Sequence, residues 1–144
     1  MKTGDRRREA GASKFTDLIA WKESHELVIA VYEITRKFPH DETFGLTNQI
    51  RRAAVSITSN IAEGFGRRTS ADRTHFYDMA RGSLNEVRNQ LLIACDVEYL
   101  SEEDFIKLDN LADKCGKTIF GLIKSTRNLT TDSSLLSTVN KKEA

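Results

Sequence analysis

A 3.6-residue apolar period runs through four separate segments of the chain, and this period constrains the fold more than any other feature. In the second segment, Leu46, Ile50 and Ile57 recur at the spacing that places side chains on one face of a helix. The chain has 144 residues with one proline and eight glycines, which leaves the segments uninterrupted and favours helices over a β protein with many turns. The sequence therefore predicts an all-α protein of one domain.

Breaker and capping residues mark the ends of the expected helices. These signals are Phe38-Pro39 after the first helix, Gly64 and Gly66 after the second, Thr69 or Ser70 before the third and Ser101 before the fourth. The expected helices cover about residues 17–37, 44–65, 70–97 and 101–129. Because short connections join them, we expect an up-down-up-down four-helix bundle.

The bundle domain is expected over residues 14–129. Residues 1–13 form a basic N-terminal arm and residues 130–144 a C-terminal tail, and both are expected to be flexible because they are polar and lack a period.

In the first helix the apolar arc covers roughly 220°, wider than the roughly 100° that faces one core. Part of that arc is therefore expected to meet another subunit.

The charge is unevenly distributed, although the net charge is only +1. Residues 45–90 carry seven Lys/Arg against four Asp/Glu, whereas residues 15–44 carry three against six and residues 91–120 three against seven. Positive charge in the middle of the chain is informative about binding partners and does not bear on the fold.

Arginines of the second and third helices are the candidate binding residues. Their planar guanidinium groups suit bidentate pairing with phosphate or with carboxylate. They are therefore expected to contact a nucleic-acid backbone or, equally well, the acidic helices of a neighbouring subunit. The sequence leaves both interpretations open, together with a plain solvated face as a third. The candidates are Arg51, Arg52, Arg67, Arg68 and Arg73.

A second set of polar residues is expected to form a structural hydrogen-bond network. Ser83 lies inside the apolar stripe of the third helix, with Glu86 on its flank, and Asn60 flanks the stripe of the second helix. His25 is placed on the core stripe of the first helix. Because a buried polar group must find partners, these four side chains are expected to bond with one another and to fix the helix register.

The sequence offers no constellation for catalysis or for a cofactor. Gly64-Phe65-Gly66 lacks a third glycine and follows a helix where a phosphate loop would follow a strand. The histidines and the two cysteines, Cys95 and Cys115, show no metal-ligand spacing. We therefore expect no catalytic residue, no metal, no cofactor, no small-molecule substrate and no membrane segment, in a cytoplasmic protein with reduced thiols.

Three blocks of the chain resemble the bacterial 23S rRNA intervening-sequence protein family. The blocks are FTDLIAWKESHELVIAVYEITRKFP, FGLTNQIRRAAVSITSNIAEGFGRRT and FYDMARGSLNEVRNQLLIA, within about residues 15–125. The resemblance implies a left-handed up-down bundle that assembles into a homopentameric ring, with no agreed enzymatic activity. More distant relatives, the accessory variability proteins of diversity-generating retroelements, bind nucleic acid and a reverse transcriptase.

Two hypotheses of function follow from these observations. In the first, the chain is a non-catalytic oligomer that binds structured RNA or DNA through the arginines. In the second, it is a protein-interaction scaffold whose arginines form inter-subunit salt bridges, with no role in nucleic-acid binding.

Overall fold

The computed structural model of the protein describes the backbone of residues 11–143 and the side chains of residues 11–129. The four helices are α1 (Ile19–Thr35), α2 (Leu46–Phe65), α3 (Ser70–Asp96) and α4 (Glu102–Glu143). Single 3-10 turns precede α1 and α2, at Phe15–Asp17 and His40–Glu42. Within the described residues there is no β-strand, so the all-α prediction with four helices is confirmed.

Each helix packs against its neighbours in chain order, and α4 returns to pack against α1. The side chains between them form one continuous core. Residues with no solvent exposure lie at every level of this core and come from all four helices: Leu27, Val31, Ile50, Ile57, Val87, Leu91, Ala112 and Ile119. The α1–α2 face and the α3–α4 face therefore lie on opposite sides of the bundle.

Hydroxyl caps begin the last two helices, as the sequence predicts. Thr69 Oγ1 accepts a hydrogen bond from the backbone N–H of Asp72 at 3.1 Å, and Ser101 Oγ accepts one from Asp104 at 3.1 Å. Each bond satisfies an N–H group that the helix itself leaves unpaired.

The connection between α3 and α4 turns at Glu98, which has a φ of 65°. This left-handed conformation is usual for glycine at a helix C-terminus and is strained for other residues. It allows the backbone N–H groups of Tyr99 and Leu100 to bond to the carbonyl of Ala94 at 2.9 and 3.2 Å. Leu100 is thereby buried at the base of the bundle.

The helix ends differ from expectation mainly in α4, which runs to Glu143 rather than ending near residue 129. Side chains are described only as far as residue 129, so flexibility of residues 130–144 stays a prediction. Most of the expected N-terminal arm lies outside the described residues. None of the described helices carries a stretch apolar enough to cross a lipid bilayer.

Candidate nucleic-acid interface

Three of the five candidate arginines lie together where α2 ends and α3 begins. We call Arg67, Arg68 and Arg73, with the rings of Phe65 and Phe76, the basic corner. The corner exists because the chain reverses direction within four residues, from Phe65 at the end of α2 to Ser70 at the start of α3.

Gly64 allows the two helices to approach closely at this corner. A Cβ atom on Gly64 would lie 2.7 Å from Cε1 and 2.9 Å from Cδ1 of Tyr77, and 3.1 Å from the carbonyl oxygen of Arg73. Tyr77 is buried, and burial raises the pKa of its hydroxyl, although the positive charge of Arg73 opposes that shift. Gly64 is therefore a packing residue inside α2.

Gly66 ends α2 without using the conformational freedom of glycine. It has a φ of −79° and a ψ of −7°, in the right-handed region, and its N–H donates to the carbonyls of Ala62 and Glu63 at 3.3 and 3.1 Å. The prediction that α2 ends at Phe65 is confirmed. The closing turn is right-handed, so the helix end does not need the left-handed conformation that glycine adopts at many helix C-termini.

Aromatic rings hold two of the corner's guanidinium groups. Arg67 lies 4.5 Å above the centroid of the Phe76 ring, and its Nη2 is 3.3 Å from Glu63 Oε2. Arg73 lies 5.9 Å above the Phe65 ring and donates from Nε to the carbonyl oxygen of Arg67 at 2.7 Å. A guanidinium has five N–H donors, so each group keeps donors beyond those used in these contacts.

Arg68 is exposed to solvent, as is Arg67. No hydrogen bond or ion pair of the described part of the chain involves the guanidinium of Arg68. It stands next to Thr69, the N-cap of α3, where the aligned peptide dipoles add partial positive charge. A cation beside a helix N-terminus is an arrangement that attracts phosphate.

The two ends of the bundle carry opposite charge. The corner's end, over residues 11–22, 62–81 and 118–129, holds eight Lys/Arg and four Asp/Glu, whereas the other end, over residues 30–52 and 88–110, holds six Lys/Arg and nine Asp/Glu. A polyanion is therefore drawn toward the end that carries the basic corner.

Arg51 and Arg52 lie outside the corner. They precede Arg67 by sixteen and fifteen residues, which is about 23 Å along a helix. Arg51 is bound within its own chain: its Nε donates to Thr35 Oγ1 at 2.8 Å, and its guanidinium lies 4.8 Å from the centroid of the Tyr32 ring. Arg52 is exposed. The five candidate arginines therefore form two separate groups.

The structure brings Asn60 and Ser83 together through Ser56, which the expected network did not include. Ser56 Oγ and Ser83 Oγ are 2.9 Å apart, and Asn60 Nδ2 donates to Ser56 Oγ at 3.1 Å and to its carbonyl oxygen at 2.9 Å. The hydrogen bond between Ser56 and Ser83 joins α2 to α3. Ser56 and Asn60 are four residues apart, so helix spacing could have placed Ser56 beside Asn60.

His25 and Glu86 do not join this network. His25 is exposed and stacks on Trp21, with ring centroids 4.7 Å apart, so its expected place on the core stripe is wrong. The fully buried residues Leu27 and Val31 lie roughly 160° and 120° around the helix from His25. Glu86 is also exposed, and no hydrogen bond among the described residues joins it to Ser83.

The two cysteines are free, and only one of them is fully buried. Burial raises the pKa of the Cys115 thiol from 9.0 to about 11; the nearby Ser24 hydroxyl opposes that shift, and the charges of Glu23 and Glu26 add to it. Among the residues that the structure describes, no three His, Cys, Asp or Glu side chains are grouped to hold a metal ion.

Comparison with known proteins identifies relatives of the whole bundle. A family model described as 23S rRNA-intervening sequence protein matches residues 16–121. A crystal structure from Bacteroides thetaiotaomicron VPI-5482, described as a protein with unknown function from the S23 ribosomal protein family, is similar in fold, with a TM-score of 0.68 at 22% identity over 74% of this chain and 99% of that one. None of the curated proteins matches the chain.

Proposed function

The chain belongs to the 23S rRNA-intervening sequence protein family, and from this membership together with the basic corner we propose that it is a non-catalytic protein that binds structured RNA or DNA. The corner binds the phosphate backbone, and the contact depends on charge and shape rather than on base sequence. The observation that carries the proposal is the grouping of Arg67, Arg68 and Arg73 at the N-terminus of α3.

The geometry of the corner suits a phosphate ligand in three ways. Arg67 and Arg73 are held over aromatic rings, which limits the side-chain entropy that they lose on binding. Arg68 is free to move toward a phosphate oxygen. Beside them an open cleft of about 600 Å³, lined by Ser59, Ala62, Glu63, Gly66 and Arg67, gives a backbone room to approach.

A single corner supplies only three cations, so the proposal includes assembly into a homo-oligomer, for which the family resemblance suggests five copies. Joining several modest sites multiplies the affinity through effective concentration, by about 10² to 10⁴. Assembly thereby reconciles a small basic patch with useful binding at a net charge of +1 per chain.

The proposal is tested by fluorescence anisotropy with a labelled RNA hairpin and a labelled DNA duplex between about 50 and 300 mM salt. If three phosphates are contacted per engaged protomer, log K for the DNA duplex falls against log salt with a slope of about −3 per protomer. Removal of one contact in Arg68→Ala reduces that slope by about 1 per protomer and weakens binding to both probes alike.

A cation from the other end of the bundle provides the matched control. Lys107 is exposed on α4 near Asp104, and Lys107→Ala leaves the slope unchanged. Absence of binding at the lowest salt overturns the proposal. So does an equal effect of Arg68→Ala and Lys107→Ala, because the corner would then have no special role.

A further inference from the structure

The cleft beside the basic corner differs in charge from the corner itself. Arg67 and Glu63 line it together, and their charged groups are 3.3 Å apart. Because the two charges are opposite, the inside of the cleft suits a neutral polar group better than a phosphate. We propose that the cleft binds one unpaired nucleobase of the nucleic acid whose phosphates contact the corner. The inference rests on the proposed function and names the part of the ligand that enters the cleft.

The shape of the cleft suits a flat ring. Four of its five lining residues recur at helical spacing along the end of α2, on the side that faces away from the core: Ser59, Ala62, Glu63 and Gly66. Ser59 and Ala62 have small side chains and Gly66 has none, so a ring can lie close to the helix backbone. The volume of about 600 Å³ is within the range of clefts that hold small organic ligands.

Arg67 supplies a stacking surface at the edge of the cleft. Its guanidinium lies 4.5 Å from the centroid of the Phe76 ring, and Phe76 belongs to α3 rather than to the lining of the cleft. The ring covers one face of the guanidinium, while the Arg67 side chain as a whole is 46% exposed. Nucleobases stack on guanidinium planes as they do on aromatic rings. A base in the cleft therefore adds a third plane to the stack of Phe76 and Arg67.

The polar groups of the cleft can pair with the edge of a base. Glu63 accepts hydrogen bonds through its carboxylate, and Ser59, one helical turn earlier, can both donate and accept. Among the residues that the structure describes, none bonds to the Ser59 hydroxyl. In a duplex the edges of a base are paired and its faces are covered by neighbouring bases. Only an unpaired base offers an edge and a face at once, so the cleft selects unpaired nucleotides.

The other arginines of the corner lie where the phosphates of the same nucleotide would pass. Arg68 follows Arg67 directly in the chain, and Arg73 donates from Nε to the carbonyl oxygen of Arg67 at 2.7 Å. Neither of them lines the cleft. The base and its phosphates can therefore be bound together by neighbouring groups, the base by Arg67 and the phosphates by Arg68 and Arg73.

The test compares three labelled RNA duplexes with the same stem sequence by fluorescence anisotropy at one salt concentration. The first is fully paired, the second carries one bulged adenosine, and the third carries an abasic bulge, which keeps the backbone and its flexibility but lacks the base. Wild type is expected to bind the adenosine bulge about 5- to 150-fold more tightly than the abasic bulge or the paired duplex. This range is what stacking of one base contributes to affinity.

A pair of matched substitutions locates the base. Arg67→Lys keeps the positive charge and removes the guanidinium plane, so it should abolish the preference for the adenosine bulge and leave the salt slope unchanged. Arg68→Lys is the control, because it makes the same change at the next residue, outside the cleft, and should keep the preference. Phe76→Leu removes the ring beneath Arg67, keeps an apolar side chain and should also weaken the preference. Circular dichroism verifies that all three variants fold.

Three results overturn the inference: equal affinity of wild type for the adenosine and abasic bulges, a preference that Arg67→Lys retains, or a preference that Arg68→Lys loses to the same extent. In each of these cases salt-dependent binding to the duplexes leaves the proposed function standing, because phosphate contacts are read from the salt slope and base contacts from the bulge. Absence of binding to every probe at the lowest salt overturns the proposed function and this inference with it.

Discussion

Replacement of Gly64 by alanine tests the close approach of α2 and α3 on which the basic corner depends. In an open helical position this change stabilises a protein by about 1 kcal/mol, because alanine has the higher helix propensity. At residue 64 the new methyl would lie 2.7 Å from Tyr77 Cε1, and the Tyr77 ring is only 2% exposed and cannot swing into solvent. The carbonyl oxygen of Arg73, 3.1 Å from the new methyl, prevents the methyl from shifting away from the ring.

Overpacking of this kind costs about 1 to 3 kcal/mol, and the buried ring and the backbone oxygen place the cost at the upper end. After the gain in propensity is subtracted, Gly64→Ala should lower the free energy of unfolding by about 1 to 2 kcal/mol. Gly82 is the matched control: it lies within α3, and nothing would approach its Cβ within 4 Å. Gly82→Ala should raise the free energy of unfolding by about 1 kcal/mol.

Urea unfolding followed by circular dichroism, at one protomer concentration, measures both changes. A double-mutant cycle assigns the cost to its contact: in a Tyr77→Val background, which lacks the Cδ1 and Cε1 atoms, Gly64→Ala should recover about 1 to 3 kcal/mol relative to its effect in wild type. Equal stability of Gly64→Ala and Gly82→Ala would refute the packing role of Gly64.

Three further changes test other local features. Thr69→Ala removes the side-chain cap of α3 and should lower the free energy of unfolding by about 1 kcal/mol, which appears as a lower urea midpoint. An unchanged midpoint would mean that the cap contributes nothing to stability. Glu98→Gly should stabilise the protein by about 1 kcal/mol because it relieves the left-handed strain at a φ of 65°, whereas Glu98→Ala, which removes only the charge, should not. For Cys115 the folded pKa is raised, so its contribution to stability is complete below pH 9 and is lost as the pH rises from 9.0 to about 11. Over this range the free energy of unfolding should fall by about 2 to 3 kcal/mol, and Cys115→Ala should lack this part of its pH dependence.

Local signals in the sequence are sufficient to locate the four helices and the caps of α3 and α4, but not the end of α4. Thr69 and Ser101 identify their caps because a hydroxyl bonds to an N–H only three residues away. The role of Gly64 could not be found in this way, since it depends on Tyr77 across the corner. A glycine near a helix end was instead assigned the commoner role of a stop signal.

Errors at the candidate site have a similar origin. His25 was misplaced because the apolar arc of α1 covers two faces, and the pattern alone does not decide which face meets the core. The division of the arginines, in contrast, follows from helix length: Arg51 and Arg67 are sixteen residues apart, or about 24 Å. The rings beneath Arg67 and Arg73 belong to neighbouring helices, and only the tertiary structure brings them together.

The two groups of arginines differ in how they are held, and a pair of variants separates their roles. Arg51 is held by Thr35 and Tyr32 in one orientation, whereas the exposed Arg68 can adapt to a phosphate backbone. Arg51→Ala is therefore expected to leave the salt slope of nucleic-acid binding unchanged, whereas Arg68→Ala should reduce it by about 1 per engaged protomer. Anisotropy titrations of wild type and both variants at equal protomer concentration measure these slopes. If Arg51→Ala reduced the slope as much as Arg68→Ala, the division of the arginines into two groups with different roles would be refuted.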